Sequence, residues 1–407
     1  MQITVQYLEG SSDWSDLHPS VAKEKLLRAG EILPIHRVLV GWNVPLPLLK
    51  ACREAADSLG ASLDLWHPIM TSDGSWKPED SWRVLGPQGE PATAALGLDE
   101  FSFLCPNNPQ ARDAIEQSLK EAIARFPFDG VFLDRIRFPS PSSRPFEDIG
   151  CFCQHCKEQA HDKGLDLEGV QQALIRASSS VQGQLAWLAT CLMTAEYVPT
   201  QELSSEQMLW RQFLDWREQC IHSIIQTLTK RCKQDGYVVG LDCFSPLLTR
   251  MVAQNLHSLV PLADWTKVMT YGHVYAPAGI PGELSDWTAS IEEKGAPDTS
   301  ALELASKVTN LSLPTSLSEL RDTGISSSSL GEEVRRAKCI KPSTILAGVE
   351  LVELEGVTRL SSEQIQQDIV SFAKAGCDGL SLSWDLWHIP DSFLRLVADT
   401  LRRLEPG

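Results

Sequence analysis

The sequence has no run of about 18 apolar residues, the length a helix needs to cross a bilayer. It has no glycine-rich turn of the kind that cradles a dinucleotide phosphate, and no His-x-His or His-Glu-x-x-His spacing for a catalytic metal. No internal repeat stands out. Positive charge is scarce: 36 Lys and Arg stand against 53 Asp and Glu, a formal net charge of -17. Such a surface repels phosphate backbones and anionic lipid, so neither a nucleic acid nor a membrane is the expected partner, and a neutral or cationic substrate fits better. The first residues, Met1 to Leu8, lack a basic segment followed by an apolar one, and we expect a cytoplasmic protein.

Apolar residues make up 43% and charged residues 22% of the 407, enough for a large core and too few charges for a disordered chain. Eight short apolar runs alternate with stretches of helical periodicity: 3–8, 37–42, 62–67, 130–135, 237–243, 267–271, 345–350 and 379–384. Helical patterns lie over 108–125, where Ala111, Ile115, Leu119 and Ile123 recur every four residues, and over 206–233. Eight strands with intervening helices predict an α/β fold, a single (β/α)8 TIM barrel spanning 1–407. Its third and fourth βα connections, about 68–104 and 138–205, are far longer than usual, and the fourth reads as a loop or helical insertion. The Ser-rich stretch 326–329 and the segment 295–298 read as surface connections between strands six and seven.

In such a barrel, chemistry gathers where strands end at the C-terminal face, so a polar residue closing an apolar run is informative. Asp134, Asp242, Tyr271, Glu350 and Asp385 all close or follow such runs. Hydrolysis of a glycosidic bond needs two carboxyl groups, one to protonate the leaving oxygen and one to attack or activate water. The expected pair is Asp134 with Glu350, on strands that lie nearly opposite one another. Asp134 has Arg135 and Arg137 as cationic neighbours, whereas Glu350 follows an apolar run and can stay protonated as an acid; Asp242, on the strand next to Asp134, is the alternative partner. Alternation along the strand puts Arg135 on the opposite side from Asp134, with Arg137 already in the loop and expected to bind substrate along with Tyr271.

Twelve tryptophans are many, and Trp42, Trp66, Trp76, Trp82, Trp384 and Trp387 fall at strand ends or in the long third connection. Sugars offer flat C–H faces that pack on indole, so Trp42, Trp66 and Trp384, with Asp385 as a hydroxyl acceptor, are expected to line a carbohydrate subsite. Of eleven cysteines, Cys52, Cys191, Cys220, Cys232, Cys339 and Cys377 stand alone and read as small hydrophobes. Cys151, Cys153 and Cys156 differ: their spacing lets three thiolates converge on one tetrahedral ion, with Cys105 as the expected fourth ligand of a structural zinc and His155 as a substitute that would have to turn away from the loop's convergence.

The segment Asp129-Gly130-Val131-Phe132-Leu133-Asp134-Arg135-Ile136-Arg137-Phe138-Pro139 reads D-G-x-x-x-D-x-x-R-F-P, and Cys151-Phe152-Cys153-Gln154-His155-Cys156 follows it. Over about 105–156 the chain resembles hypothetical glycoside-hydrolase-like barrel families, in which this pattern closes the fourth strand and a C-x-C-x-x-C motif often follows. It resembles more distantly the family 42 β-galactosidases, whose Cys triplet and upstream Cys hold a structural zinc. The resemblance implies a retaining or inverting glycosidase acting on a carbohydrate or glycoside, with one carboxylate on strand four, a second on a later strand, and no cofactor needed for the chemistry. The chain departs from the family 42 pattern by carrying Leu133-Asp134 in place of an Asn-Glu pair. Two other readings remain: a non-catalytic carbohydrate-binding barrel, and a metal-assisted hydrolase of another bond using His36, His67 or His273.

Overall fold

The computed structural model describes residues 1–93, 101–193, 202–342 and 344–404. Eight parallel strands form a closed barrel in sequence order: β1 (Gln2–Tyr7), β2 (Arg37–Val40), β3 (Ser62–Pro68), β4 (Gly130–Asp134), β5 (Val238–Phe244), β6 (Trp265–Met269), β7 (Ile345–Glu350) and β8 (Gly379–Ser383). Closure is made by β1 against β8, with Thr4 opposite Ser381. Fourteen α-helices lie among the described residues. The (β/α)8 barrel expected from the alternating pattern is therefore the observed fold, and β6 begins two residues earlier than its apolar run suggested.

Local sequence explains the helix boundaries. Asn108 caps the helix Pro109–Ala124 by accepting from the Ala111 amide at 3.0 Å, and Ala111, Ile115 and Leu119 form its buried face. Ser204 and Gln207 form a reciprocal capping box at the head of the 30-residue helix Ser205–Gln234. The insertion at 138–205 carries helices Gln154–Asp162, Leu167–Ala177 and Val181–Leu192, while 194–201 lies outside the described residues. The Ser-rich stretch 326–329 is not a surface connection: Ser326 caps the helix Ser327–Lys338, and Ser329 is buried within it. Serine signals an N-cap as readily as a loop, and the Val334 and Ala337 face decided the outcome.

Two apolar compartments result. Outward-facing strand residues join the helices in one large core, and the barrel interior forms a second cluster of Leu39, Trp42, Trp66, Phe132, Trp265 and Leu346. Phe132 stacks on Trp265 at 5.0 Å, and Trp42 meets Trp66 edge to face at 5.4 Å. Gly240 makes room for this filling, since a Cβ there would lie 2.2 Å from the Trp265 ring. Below, Arg37 covers Trp265 and pairs with the buried Asp64.

Asp385 fastens the seam between β8 and β1. Its Oδ1 accepts from the amides of Leu8 (3.0 Å) and Trp387 (2.9 Å), and its Oδ2 from the amide of Glu9 (2.9 Å). Three backbone amides, that of Leu8 buried, would lose their acceptor in Asp385→Ala, so we expect a loss of about 3 kcal/mol of stability, measured by urea unfolding.

Candidate active site

Leu133 pairs with Leu241 across β4 and β5, so the next residue on each strand, Asp134 and Asp242, turns inward side by side at the C-terminal mouth. Trp66 Nε1 donates to Asp134 Oδ2 at 2.9 Å, and the Arg135 amide donates to Oδ1 at 2.5 Å. Asp242 Oδ2 accepts from Lys267 Nζ at 3.0 Å, and the same ammonium donates to Gln6 Oε1 at 2.8 Å. Gln6 Oε1 also accepts from Ser383 Oγ at 3.0 Å, and the Tyr271 ring lies 5.4 Å from Lys267 Nζ. Residues from β1, β4, β5, β6 and β8 thus share one polar layer above the aromatic filling.

Burial shapes the charges in this layer. It drives the Asp242 carboxyl up to about 7, with Lys267 opposing the shift and Asp134 adding to it. Burial also works against the Lys267 ammonium, but Asp242 and Tyr271 outweigh it and hold the lysine above its usual range. The Tyr271 hydroxyl is pushed up to about 12 by burial against the pull of Lys267. Arg137 is buried between Phe103 and Phe244, 4.5 and 4.6 Å from the ring centres, and burial lowers it to about 10 against the Glu283 and Asp134 charges.

Glu350 stands in a different setting. Its Oε1 accepts from the His273 amide at 2.8 Å, and burial drives its carboxyl up to about 7, opposed by His273 and reinforced by Asp368. His273 Nε2 in turn lies 3.4 Å from Asp368 Oδ2. The structure therefore brings Asp134, Asp242, Arg137 and Tyr271 into one charged neighbourhood and ties Glu350 to the loop after β6.

The tryptophans divide similarly. Trp42 and Trp66 are 2% and 4% exposed; they fill the barrel and, through Trp66, direct Asp134. Trp384 is half-buried against the main core, and both Asp385 oxygens are occupied by backbone amides. The position of Arg135 differs from that expected by strand alternation. The strand stops at Asp134, Arg135 takes φ 51°, and its guanidinium swings over Trp42 at 5.2 Å while donating to Thr71 Oγ1 at 3.1 Å. Alternation holds only while the strand does.

Two residues escape the strand-end rule. Lys267 sits inside the run Trp265-Thr266-Lys267-Val268-Met269, and its signal was the cost of a charge in a buried strand, which demands a partner. Glu9 follows β1 by two residues and lies close enough to Arg135, Asp385 and Asp134 to feel their charges.

The three histidines do not converge. His36 Nδ1 accepts from the Ile3 amide at the opposite end of the barrel, His67 Nε2 lies 3.4 Å from Ser118 Oγ, and His273 faces Asp368. Among the described residues, the one group able to hold a metal is Cys105, Cys151, Cys153 and Cys156, all buried, with sulfurs within 4.8 Å of one another. This cluster of four cysteines joins the connection after β3 to the connection after β4.

No family model matches the sequence, and no curated protein matches it. Among solved structures, the chain is similar to the PgaB (BpsB) glycoside hydrolase domain from Bordetella bronchiseptica, at 12% identity and a TM-score of 0.52 over 98% of this chain and 97% of that one. It is similar to the catalytic domain of β-amylase from Paenibacillus polymyxa, at 11% identity and a TM-score of 0.53 over 100% and 99%. A third likeness, at 11% identity and a TM-score of 0.54, is to α-L-fucosidase isoenzyme 2 from Paenibacillus thiaminolyticus, over 99% of this chain and 49% of that one. At these identities the likeness shows the fold. No helix among the described residues is long and apolar enough to cross a membrane.

The raised carboxyls give stability a definite pH dependence. Asp242 and Glu350 keep their protons to about 7 in the fold, against ordinary values of 3.8 and 4.5. As pH rises the unfolded chain releases those protons first, so their contribution is complete below about pH 4 and lost as pH passes about 7. Thermal melts of Glu350→Gln should show a shallower loss of stability than wild type between these limits.

Proposed function

We propose that this chain hydrolyses O-glycosidic bonds at the C-terminal mouth of the barrel, with Asp134 and Asp242 as its two reacting carboxyls. The observation that carries the reading is their position on neighbouring strands in unlike surroundings. Asp134 accepts N–H bonds on both oxygens and is assigned the nucleophile or the base that activates water. Asp242 is assigned the acid: its carboxyl is driven up to about 7 by burial, and its Oδ1 has no hydrogen-bond partner among the described residues. Lys267, hydrogen-bonded to Asp242, balances the charge left on that carboxyl when it gives up its proton. Glu350, bound to the His273 amide, supports the adjoining loop. The PgaB domain and β-amylase, glycan-active by their names, share the architecture and support the substrate class without fixing the sugar.

A panel of 4-nitrophenyl glycosides tests the activity, and three variants test the roles. Asp134→Asn and Asp242→Asn should each lose roughly 100-fold or more in kcat, while Glu350→Gln stays within about tenfold. Severe loss in Glu350→Gln with near-normal turnover in Asp242→Asn assigns the acid to Glu350 instead. Glycan binding without turnover leaves the non-catalytic reading.

The same proposal includes one structural zinc on Cys105, Cys151, Cys153 and Cys156. A tetrahedral zinc centre with four thiolates and bonds of about 2.3 Å has sulfurs about 3.8 Å apart. Here Cys105 Sγ lies 3.5 Å from Cys153 Sγ and 3.4 Å from Cys156 Sγ. Amide donors surround the thiols as thiolates require: Leu85 N to Cys151 Sγ at 3.3 Å, Asn107 N to Cys105 Sγ at 3.4 Å, and Asn107 Nδ2 to Cys156 Sγ at 3.3 Å. Elemental analysis of protein purified without chelator should find about one zinc per chain, and its removal should lower the melting temperature. Metal-free protein of unchanged stability would remove zinc from the account.

A further inference from the structure

A third carboxyl stands at the mouth outside every motif of the sequence. Glu9 follows β1, and its backbone is tethered on several sides. Its amide donates to Asp385 Oδ2 at 2.9 Å, and its carbonyl accepts from Trp14 Nε1 at 2.8 Å and from the Ser12 amide at 3.2 Å. The preceding Leu8 holds φ 54°, a left-handed conformation that costs a branched side chain energy. The following Gly10 lies against Trp42 so closely that a Cβ would fall 2.2 Å from the Trp42 carbonyl oxygen and 2.5 Å from its ring. The Trp42 ring carries the Arg135 guanidinium, and Arg135 directly follows Asp134.

This frame presents a half-buried carboxyl within electrostatic reach of Asp134. Burial raises it to about 7, with Arg135 and Ser11 pulling it down and Asp385 and Asp134 pushing it further up. A solvated surface glutamate needs neither strain nor tethers. A carboxyl that must meet a ligand at a fixed angle needs both.

We propose that Glu9 is a substrate-binding residue of this site, gripping hydroxyl groups of the sugar ring docked against Asp134. The inference rests on the glycosidase reading above. A carboxyl that exchanges its proton near neutrality can accept from one sugar hydroxyl and donate to its neighbour. In this role Glu9 forms and breaks no covalent bond, so its loss falls on binding and not on the chemical step.

The test separates the two proposals by reading binding without turnover. Fluorescently labelled Asp134→Asn protein is applied to an array of immobilised neutral oligosaccharides. It should retain at least one glycan, and adding Glu9→Ala should weaken that binding roughly tenfold or more with the melting temperature unchanged. Glu9→Gln, which keeps an acceptor and a donor, should recover part of the loss. With Asp134 intact, Glu9→Ala should raise KM for the best 4-nitrophenyl glycoside by a similar factor and leave kcat within about threefold. Four results overturn the proposal: no glycan retained by Asp134→Asn, undiminished binding in Glu9→Ala, Glu9→Gln no better than Glu9→Ala, or a loss confined to kcat, which would make Glu9 the proton donor. Wild-type protein that turns over no glycoside but shows the Glu9-dependent binding overturns the hydrolase reading alone.

Discussion

The upper half of this barrel depends on one buried contact, the Lys267 ammonium hydrogen-bonded to the Asp242 carboxyl, 1% and 2% exposed. Taking an ammonium and a carboxylate out of water costs several kcal/mol each, and attraction alone seldom repays it. The compensation comes from neighbours on other strands: Gln6 accepts from the ammonium, Ser383 donates to Gln6, and the Phe132 and Tyr271 rings lie within 5.7 Å of the charge. One lysine therefore ties β6 to β1, β4, β5 and β8. Any side chain that widened this layer would leave the Lys267 ammonium without its acceptors.

Below that layer the interior is aromatic and buried, and this governs how the carboxyls behave. Phe132, Trp265, Trp66 and Trp42 remove water from beneath Asp134 and Asp242, so the polar layer is felt at low dielectric. The same rings give Asp134 its direction through the Trp66 indole N–H. Packing and electrostatics are in this sense a single device: the tryptophans that fill the barrel also orient the carboxyl at its mouth.

The rim is built differently. Asp385 holds the β1 end by its amides, and Cys105, Cys151, Cys153 and Cys156 join the two longest connections. Arg217, buried beneath them, donates to the Gly150 and Met251 carbonyls and links the helix Ser205–Gln234 to the segments after β4 and β5. Long loops lose conformational entropy when ordered, and such contacts help to offset that loss.

Period and composition alone determined the architecture. Eight apolar runs separated by helical periodicity leave few alternatives to a closed parallel barrel, because each element's buried face is written in its own residues. The strand-end rule reached Asp134, Asp242, Tyr271 and Glu350, since a polar residue closing an apolar run is a local event, and the C-x-C-x-x-C spacing brought three thiols together on one turn. Only the tertiary structure decided which groups meet. Glu350 turned to His273, Asp385 to the β1 amides, and Trp42 and Trp66 into the barrel filling, because each found partners more than twenty residues away that no local pattern encodes. Arg135 reached the mouth through a single left-handed residue, and Lys267 became the centre of the network because barrel closure set Gln6, Asp242 and Ser383 around it. Sequence periodicity records which face of an element is buried; the identity of its neighbours across the barrel is a property of closure.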